Sequence, residues 1–315
     1  MIRLGRGLFF LLAGGALAST VSLDAEVPAG RWAKKSAMPT PRTEVAVAEI
    51  SGRLYVIGGF GGDGRVVEVY DPAADRWSSK ASLPLPLHHT VAAGVGGTLY
   101  VIGGYSPDWR PTGATYEYDP ALDQWRARSP MPTARGAHAG GVIDGEIYTI
   151  GGVAGDGRRN SAANEIYDPA HDRWRVGHSL PTPRDHLAVI VSGRRLHAIG
   201  GRPGGDYSRN LGTHEVYDPD AGRWSQNPPL QTPRSGIAGA LLAGRLFIFG
   251  GEAPQGTFRE AEGYDPLAGR WTTFAPMPTA RHGLGAATFG GAIYVIGGGP
   301  RPGGSFSDAN EAFSP

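Results

Sequence analysis

Six short apolar segments, each closed by a pair of glycines, recur along the chain. Each differs at no more than three positions from LYVIGG, the form found at residues 54–59 and 99–104. The glycine pairs begin at Gly58, Gly103, Gly151, Gly200, Gly250 and Gly297. Successive pairs therefore lie 45, 48, 49, 50 and 47 residues apart. A period of this length is typical of circular arrays of four-stranded units.

Each repeat contains the signals of four strands. A nearly continuous apolar strand follows a Pro-rich turn, and a turn dipeptide such as Ser51-Gly52 leads into the glycine-pair segment, which is a hairpin pattern. After a variable loop, a third strand ends at Tyr-Asp-Pro in five repeats, where proline starts a turn. A tryptophan seven residues after each of these tyrosines opens a fourth, outer strand, and these residues are Trp77, Trp125, Trp174, Trp224 and Trp271. We expect the Tyr and Trp rings to pack between neighbouring units.

The last repeat lacks its fourth strand, and the N-terminus carries a matching piece. The chain ends shortly after Phe313, which occupies the tyrosine position. Gly30-Arg31-Trp32 matches the Gly-Arg-Trp that opens the outer strand at Trp224 and Trp271. We therefore expect the N-terminal strand to complete the last unit and close a ring, which removes two exposed sheet edges.

The glycine pair, the Tyr-Asp-Pro and the trailing Trp together resemble the kelch motif. The resemblance covers about residues 31–315 in six copies, whereas no Trp-Asp dipeptide ends a repeat as in WD-repeat proteins. It implies an all-β, six-bladed β-propeller of four-stranded antiparallel blades. It does not imply one function, because the family includes adaptors that bind peptides, sugar-directed oxidases and a periplasmic sialic-acid mutarotase.

The first 18 residues have the pattern of a signal peptide. Arg3 and Arg6 precede an apolar run at residues 7–18 that ends in Ala16-Leu17-Ala18, a small-residue cleavage pattern. We expect cleavage after Ala18, a linker at 19–30 and a propeller at 31–315. An uncleaved membrane anchor is the alternative. The chain has no cysteine and no Asn-x-Ser/Thr site, so we expect a periplasmic or secreted bacterial protein that is monomeric and free of the membrane after cleavage.

Charge argues against nucleic acid as a partner. The chain has 30 Lys and Arg residues against 29 Asp and Glu residues, so no global field attracts a polyanion.

Two charged series recur with the repeats. An arginine stands sixteen residues before five of the glycine pairs, at Arg42, Arg135, Arg184, Arg234 and Arg281. A glutamate stands two residues before the third-strand Tyr or Phe, at Glu68, Glu165, Glu215, Glu262 and Glu311. The second repeat lacks both and has Leu87 and Tyr116 instead. We infer a buried ion pair, since either charge left alone would be costly. An anion-binding ring of arginines is the alternative.

Function should lie where the copies differ, and the two positions after each arginine differ most. They carry four histidines and two carboxylates, with His138 one step deeper. Histidine titrates near neutral pH, so we expect acid–base groups at Glu44, His88, Asp185 and His186, and ligand contacts at His89, His138 and His282. No HExxH or close His-x-His spacing is present, so neither a metal nor a cofactor is expected.

The variable loops on the same rim add aromatic and charged side chains. Trp109 stands outside the repeat register, so packing between units does not explain it. The further candidates for ligand contacts are Tyr105, Arg110, Arg158, Arg202, Tyr207, Arg209 and Glu252. Aromatic faces and guanidinium groups suit an acidic sugar or an acidic peptide.

Two functions remain open. The first is a binding scaffold that presents its loop rim to a protein, a peptide or an acidic glycan. The second is a periplasmic carbohydrate enzyme, an epimerase or mutarotase that acts on an acidic sugar at the channel mouth. A copper radical oxidase of the galactose oxidase type does not fit, because its crosslinked cofactor requires a cysteine and the chain has none. A deep funnel would favour the enzyme, and a shallow rim would favour the scaffold.

Overall fold

The computed structural model describes residues 1–2, 29–155 and 159–315. Most of the expected signal peptide and most of the linker therefore lie outside the described residues. Within the described part the chain is built from β-strands, and it contains no helix long and apolar enough to cross a membrane.

Six four-stranded antiparallel sheets form the blades of a propeller. The first strand in the chain is β1 (Arg31–Lys34). Blade 1 contains β2 (Ala46–Ile50), β3 (Arg53–Ile57), β4 (Val67–Asp71) and β5 (Arg76–Ser79). Blade 2 contains β6 (Val91–Val95), β7 (Thr98–Ile102), β8 (Thr115–Asp119) and β9 (Gln124–Arg128). Blade 3 contains β11 (Ala139–Ile143), β12 (Glu146–Ile150), β15 (Asn164–Asp168) and β16 (Arg173–Val176).

The second half repeats this order. Blade 4 contains β17 (Ala188–Ser192), β18 (Arg195–Ile199), β19 (His214–Asp218) and β20 (Arg223–Gln226). Blade 5 contains β21 (Ala238–Leu242), β22 (Arg245–Phe249), β25 (Ala261–Asp265) and β26 (Arg270–Phe274). Blade 6 contains β27 (Gly285–Phe289), β28 (Ala292–Ile296) and β29 (Asn310–Ser314), completed by β1. Short rim strands are β10 (Arg135–Gly136), β13 (Val153–Ala154), β14 (Arg159–Asn160), β23 (Glu252–Ala253) and β24 (Gly256–Thr257).

The N-terminal strand completes the last blade, as the sequence predicted. β1 runs antiparallel to β29, and Trp32 lies opposite Phe313. The innermost strands contact one another in the cyclic order β2, β6, β11, β17, β21, β27 and back to β2. The first and last parts of the described chain therefore share one sheet.

The recurrent tryptophans join each blade to the connection that precedes it. Trp77 lies directly opposite Tyr70 across β4 and β5, with their ring centroids 5.0 Å apart. Its indole N–H donates to the Ser36 carbonyl at 2.8 Å, in the connection between β1 and blade 1. The equivalent bonds, all 2.8 Å long, are made by Trp32, Trp125, Trp174, Trp224 and Trp271.

The recurrent Arg and Glu residues form five buried ion pairs, one in each blade except blade 2. Arg184 lies before the first strand of its blade and contacts Glu215 on the third strand at 2.5 Å, with both side chains fully buried. The other pairs are Arg42–Glu68, Arg135–Glu165, Arg234–Glu262 and Arg281–Glu311. The predicted ion pairs are confirmed, and the alternative of an anion-binding arginine ring is wrong because all five arginines are buried.

We predict that ring closure depends on Trp32. Its ring packs on Phe313 and Phe249 at centroid distances of 5.0 and 5.5 Å. Trp32→Ala should lower the free energy of unfolding by about 2–4 kcal/mol, measured by urea denaturation. Deletion of residues 19–36 should cause early melting or aggregation, because it exposes the edge of β29.

A matched control removes an exposed side chain. Leu267 is fully exposed, so Leu267→Ala should change the unfolding free energy by no more than about 0.5 kcal/mol. An unfolding midpoint that is unchanged in Trp32→Ala would show that β1 does not hold the ring closed.

Candidate functional site

Six backbone hydrogen bonds form a closed ring around the propeller axis. They join the residues that stand two positions after each repeat arginine, or after Leu87 in blade 2. The N–H of each donates to the carbonyl of its equivalent in the preceding blade. The bonds are Glu44→Gly283 (2.6 Å), His89→Glu44 (3.2 Å), Ala137→His89 (3.0 Å), His186→Ala137 (2.9 Å), Gly236→His186 (3.0 Å) and Gly283→Gly236 (2.9 Å). We call these six residues the amide ring.

All six members of the amide ring have left-handed backbone conformations. Glycine occupies two positions, Gly236 (φ 66°) and Gly283 (φ 60°), without steric cost. Glu44 (φ 54°), His89 (φ 54°) and His186 (φ 51°) adopt the same conformation with large side chains, at a cost of roughly 1–2 kcal/mol each. Strained backbone at residues with reactive side chains is a recurrent feature of functional sites.

Ionisable side chains contact one another in a closed series above the amide ring, and we call this series the circuit. Its members are Glu44, His89, His186, Asp185, Arg202, Glu252 and His282. Glu44 Oε2 lies 3.2 Å from His89 Nε2, and the ring centroids of His89 and His186 are 5.0 Å apart. His186 Nδ1 contacts Asp185 at 2.5 Å, and Asp185 lies 3.4 Å from Arg202 Nε. Blades 1, 2 and 4 thus meet at the axis.

Glu252 and His282 close the circuit on the other side. Arg202 donates to Glu252 at 2.7 Å. His282 Nε2 lies 3.5 Å from Glu252 and 3.6 Å from Glu44. His282 therefore lies between the carboxylates of Glu44 and Glu252.

His88 and His89 form a hydrogen-bonded pair that ends on a carbonyl. Their Nδ1 atoms are 2.6 Å apart, and His88 Nε2 lies 3.2 Å from the Ser106 carbonyl oxygen. Burial lowers the pKa of His88 to about 4. Burial, aided by the charges of His186 and His88, holds the pKa of His89 well below its usual value.

Two acids in the circuit stay ionised despite their burial. Burial alone would raise the pKa of Asp185, but hydrogen bonds from His186, Asn160 and Gly205 outweigh it and lower the pKa. The pKa of Glu252 is also lowered, because the charges of His282 and Arg202 outweigh burial. Both carboxylates are therefore negative at neutral pH.

The circuit is the floor of a concave basin of about 540 Å³. Aromatic side chains from four blades form the walls of the basin. These residues are Phe60, Tyr105, Trp109, Tyr207 and Phe306. The ring centroids of Trp109 and Phe60 are 5.4 Å apart, and 55 % of Trp109 remains exposed. Glu44, His89 and His186 also line an axial channel of about 190 Å³ below the basin, so these three side chains separate the two spaces.

The structure brings most of the predicted site residues together. The basin is lined by Glu44, His89, Tyr105, Trp109, His186, Arg202, Tyr207, Glu252 and His282. Asp185 is fully buried behind His186, and His88 lies buried behind His89. His138 is buried and lines the axial channel below.

Two predicted arginines are not part of this arrangement. The Arg110 side chain is 84 % exposed and pairs with Asp108 on the loop surface. Arg209 is exposed on its loop. Arg158 lies outside the described residues. Loop conformation, which the repeat pattern does not specify, decides where such side chains point.

Sequence reasoning missed two kinds of residue. Phe60 lines the basin, and its place directly after the first glycine pair was an available signal. Asn160 and Asn210 form hydrogen bonds with residues of the basin floor. Asn160 donates to Asp185 at 2.6 Å, and Asn210 donates to the Glu252 carbonyl at 2.7 Å. Loop asparagines carry no comparable signal in the sequence.

Comparison with known proteins identifies relatives of the fold. The family model described as the KLHDC2/KLHL20/DRC7 Kelch-repeats domain matches residues 89–299, and the Kelch motif model matches residues 41–84. No curated protein matches the chain. The solved structure of YjhT is similar, with a TM-score of 0.76 and 17 % sequence identity over 88 % of this chain and 95 % of that chain.

Proposed function

The chain belongs to the kelch-repeat family, and from this premise we propose that it binds a neutral carbohydrate of about monosaccharide size in the basin. The observation that carries the proposal is the shape of the site, a cavity of about 540 Å³ with aromatic walls and a charged floor. Small-molecule sites typically measure roughly 300–1,000 Å³ and combine apolar walls with a few placed polar groups. The family itself leaves the ligand open.

Burial of the floor favours a small ligand over a folded protein partner. His282, Glu252 and Arg202 are each at most 5 % exposed, so a flat protein surface could contact the rim but not these groups. A sugar ring can place its apolar face against Trp109 while its hydroxyls reach the floor. Hydroxyls both donate and accept, which matches a floor of carboxylates and imidazoles.

The charges of the floor favour a neutral sugar over the acidic one expected from the sequence. Among the residues that the structure describes, Arg202 is the arginine that lines the basin, and its guanidinium already contacts Asp185 and Glu252. A ligand carboxylate would compete with these two buried anions and would face Glu44 as well. Like charges at such distances are unfavourable in a partly buried site.

We predict that Trp109→Ala weakens binding of neutral monosaccharides about tenfold, because it removes one wall of the basin. The measurement is isothermal titration calorimetry with a panel of neutral sugars and sugar acids. Leu267→Ala, a change on the distant surface, should leave affinity unaltered. A response confined to sugar acids would overturn the neutral-ligand proposal, and no response to any sugar would overturn carbohydrate binding.

Proton transfer at the anomeric centre of the bound sugar is a second candidate function. It is favoured by the Asp185–His186 contact of 2.5 Å, which orients the imidazole and leaves Nε2 free toward the axis. Glu44 lies within 4.8 Å of the His186 ligand atom. His186 would take the proton of the anomeric hydroxyl while a water molecule gives one to the ring oxygen. The ring C–O bond then breaks without net change in protons.

We predict for this candidate that the protein accelerates exchange between sugar anomers, followed by magnetisation-transfer NMR. His186→Asn should reduce the enzymatic rate by at least about 100-fold, the usual contribution of a general base, while sugar affinity changes only a few-fold. An exchange rate equal to the uncatalysed one with wild-type protein would reject catalysis and leave the binding function standing.

We also propose that the chain acts outside the cytoplasm, on the basis of its N-terminal sequence. Arg3, Arg6 and the apolar run at residues 7–18 have the organisation that export machinery recognises. Mass spectrometry of the protein from a bacterial periplasmic fraction should give a chain that starts at Ser19. A chain with an intact N-terminus in the membrane fraction would instead support the anchor.

A further inference from the structure

Three imidazoles at the basin floor each use Nδ1 for a contact that points away from the axis. His186 contacts Asp185 in this way, His89 contacts His88, and His282 contacts the Gly299 carbonyl at 3.0 Å. Partners of this kind fix the orientation of an imidazole and leave Nε2 for another ligand. The Nε2 atoms of His89 and His282 lie beside Glu44.

The chain of contacts from Glu44 to Ser106 is one hydrogen short. It contains three contacts, Glu44 to His89, His89 to His88, and His88 to the Ser106 carbonyl. A carboxylate and a carbonyl oxygen only accept, and two neutral imidazoles supply two hydrogens. One contact therefore needs a further hydrogen or a cation, and the carboxylate end, beside His186, is where negative charge and lone pairs converge.

We propose that Glu44, His89 and His186 bind a divalent transition-metal ion such as Zn²⁺ at the base of the basin. The possible ligand atoms of these three residues all lie within 4.8 Å of one another. Two imidazole nitrogens and one carboxylate oxygen are a donor set that suits Zn²⁺, with a fourth position left open. Here all three ligand residues line the basin.

The surroundings of the three ligands support the proposal. Asp185 behind His186 and His88 behind His89 occupy the outer positions that usually orient metal-bound histidines. The left-handed backbone at all three ligands is the conformation that Gly236 and Gly283 adopt freely in the same ring. Retaining Glu and His there is accounted for by a role of their side chains.

The ion would change the chemistry of the basin without depending on carbohydrate binding. It would occupy the lone pair of His186 that proton transfer requires, and it would offer a positive centre to a sugar oxygen instead. Metal binding and sugar binding are measured separately, so either can fail while the other stands. A metal that inhibits anomer exchange would connect the two sites directly.

The test is a Co²⁺ titration of the full chain, purified without a histidine tag and stripped with a chelator. We expect one equivalent of Co²⁺ to produce the visible absorption of a low-coordinate site, and Zn²⁺ to displace it. Glu44→Gln and His89→Gln should each weaken binding by at least about 10–100-fold. The absence of visible absorption would overturn the site. An affinity for Co²⁺ equal to that of the wild type in both variants would also overturn it.

A pair of glycine variants tests the geometry without removing a ligand. A Cβ at Gly283 would lie 2.5 Å from both Glu44 Oε1 and Thr43 Oγ1, whereas at Gly236 the nearest atom is 3.4 Å away. The two positions share the amide ring and similar φ angles. Gly283→Ala should therefore weaken Co²⁺ binding about tenfold or more, and Gly236→Ala should leave it within a few-fold.

Two controls separate specific loss from unfolding or surface binding. Circular dichroism and thermal unfolding should show that each variant remains folded. His171 is an exposed histidine that pairs with Asp168 away from the basin, so His171→Ala should keep full Co²⁺ binding. Equal loss in Gly283→Ala and Gly236→Ala, or loss in His171→Ala, would overturn the assignment.

Discussion

The amide ring is the constraint on which the site depends. Its six backbone hydrogen bonds close around the axis and hold equivalent residues of successive blades in direct contact. Each bond joins residues with a left-handed backbone conformation at the same position. This conformation costs free energy wherever the residue is not glycine. Groups far apart in sequence, such as Glu44 and His186, come within reach of one another only through this ring.

The buried ion pairs and the tryptophans hold the blades in the positions that the ring requires. Each Arg–Glu pair ties the entry of a blade to its third strand in a fully dry environment, where neither charge could remain alone. Each indole N–H ties the outer strand to the preceding connection. Blade 2 replaces the pair by Leu87 and Tyr116, and Leu87 packs in the apolar core, so hydrophobic contacts can substitute for the charges.

Local spacing made much of the fold predictable, and loop conformation made part of the site unpredictable. Recurrent residues at fixed spacing predict the six repeats, the closure of the ring by β1 and the buried ion pairs. The spacing recurs because every blade packs in the same way. The crowding of His89, His186 and Glu44 also followed from register. By contrast, Arg110 and Arg209 lie on irregular loops, and their outward positions depend on turns that no periodicity describes.

The left-handed backbone of the amide ring was encoded in the sequence in a form that only comparison of the copies reveals. Gly236 and Gly283 mark the position as one that favours glycine, so Glu44, His89 and His186 are departures from the inexpensive residue. Ala137 of blade 3 is a further departure with a small side chain, so the large side chains are confined to blades 1, 2 and 4. Gly283 leaves space beside Glu44, and Gly236 leaves space beside His282 and Glu252. Arg202 of blade 4 contacts Glu252 on this side of the axis. A symmetric scaffold thus acquires a site with two imidazoles and a carboxylate on one side and fixed ion pairs on the other.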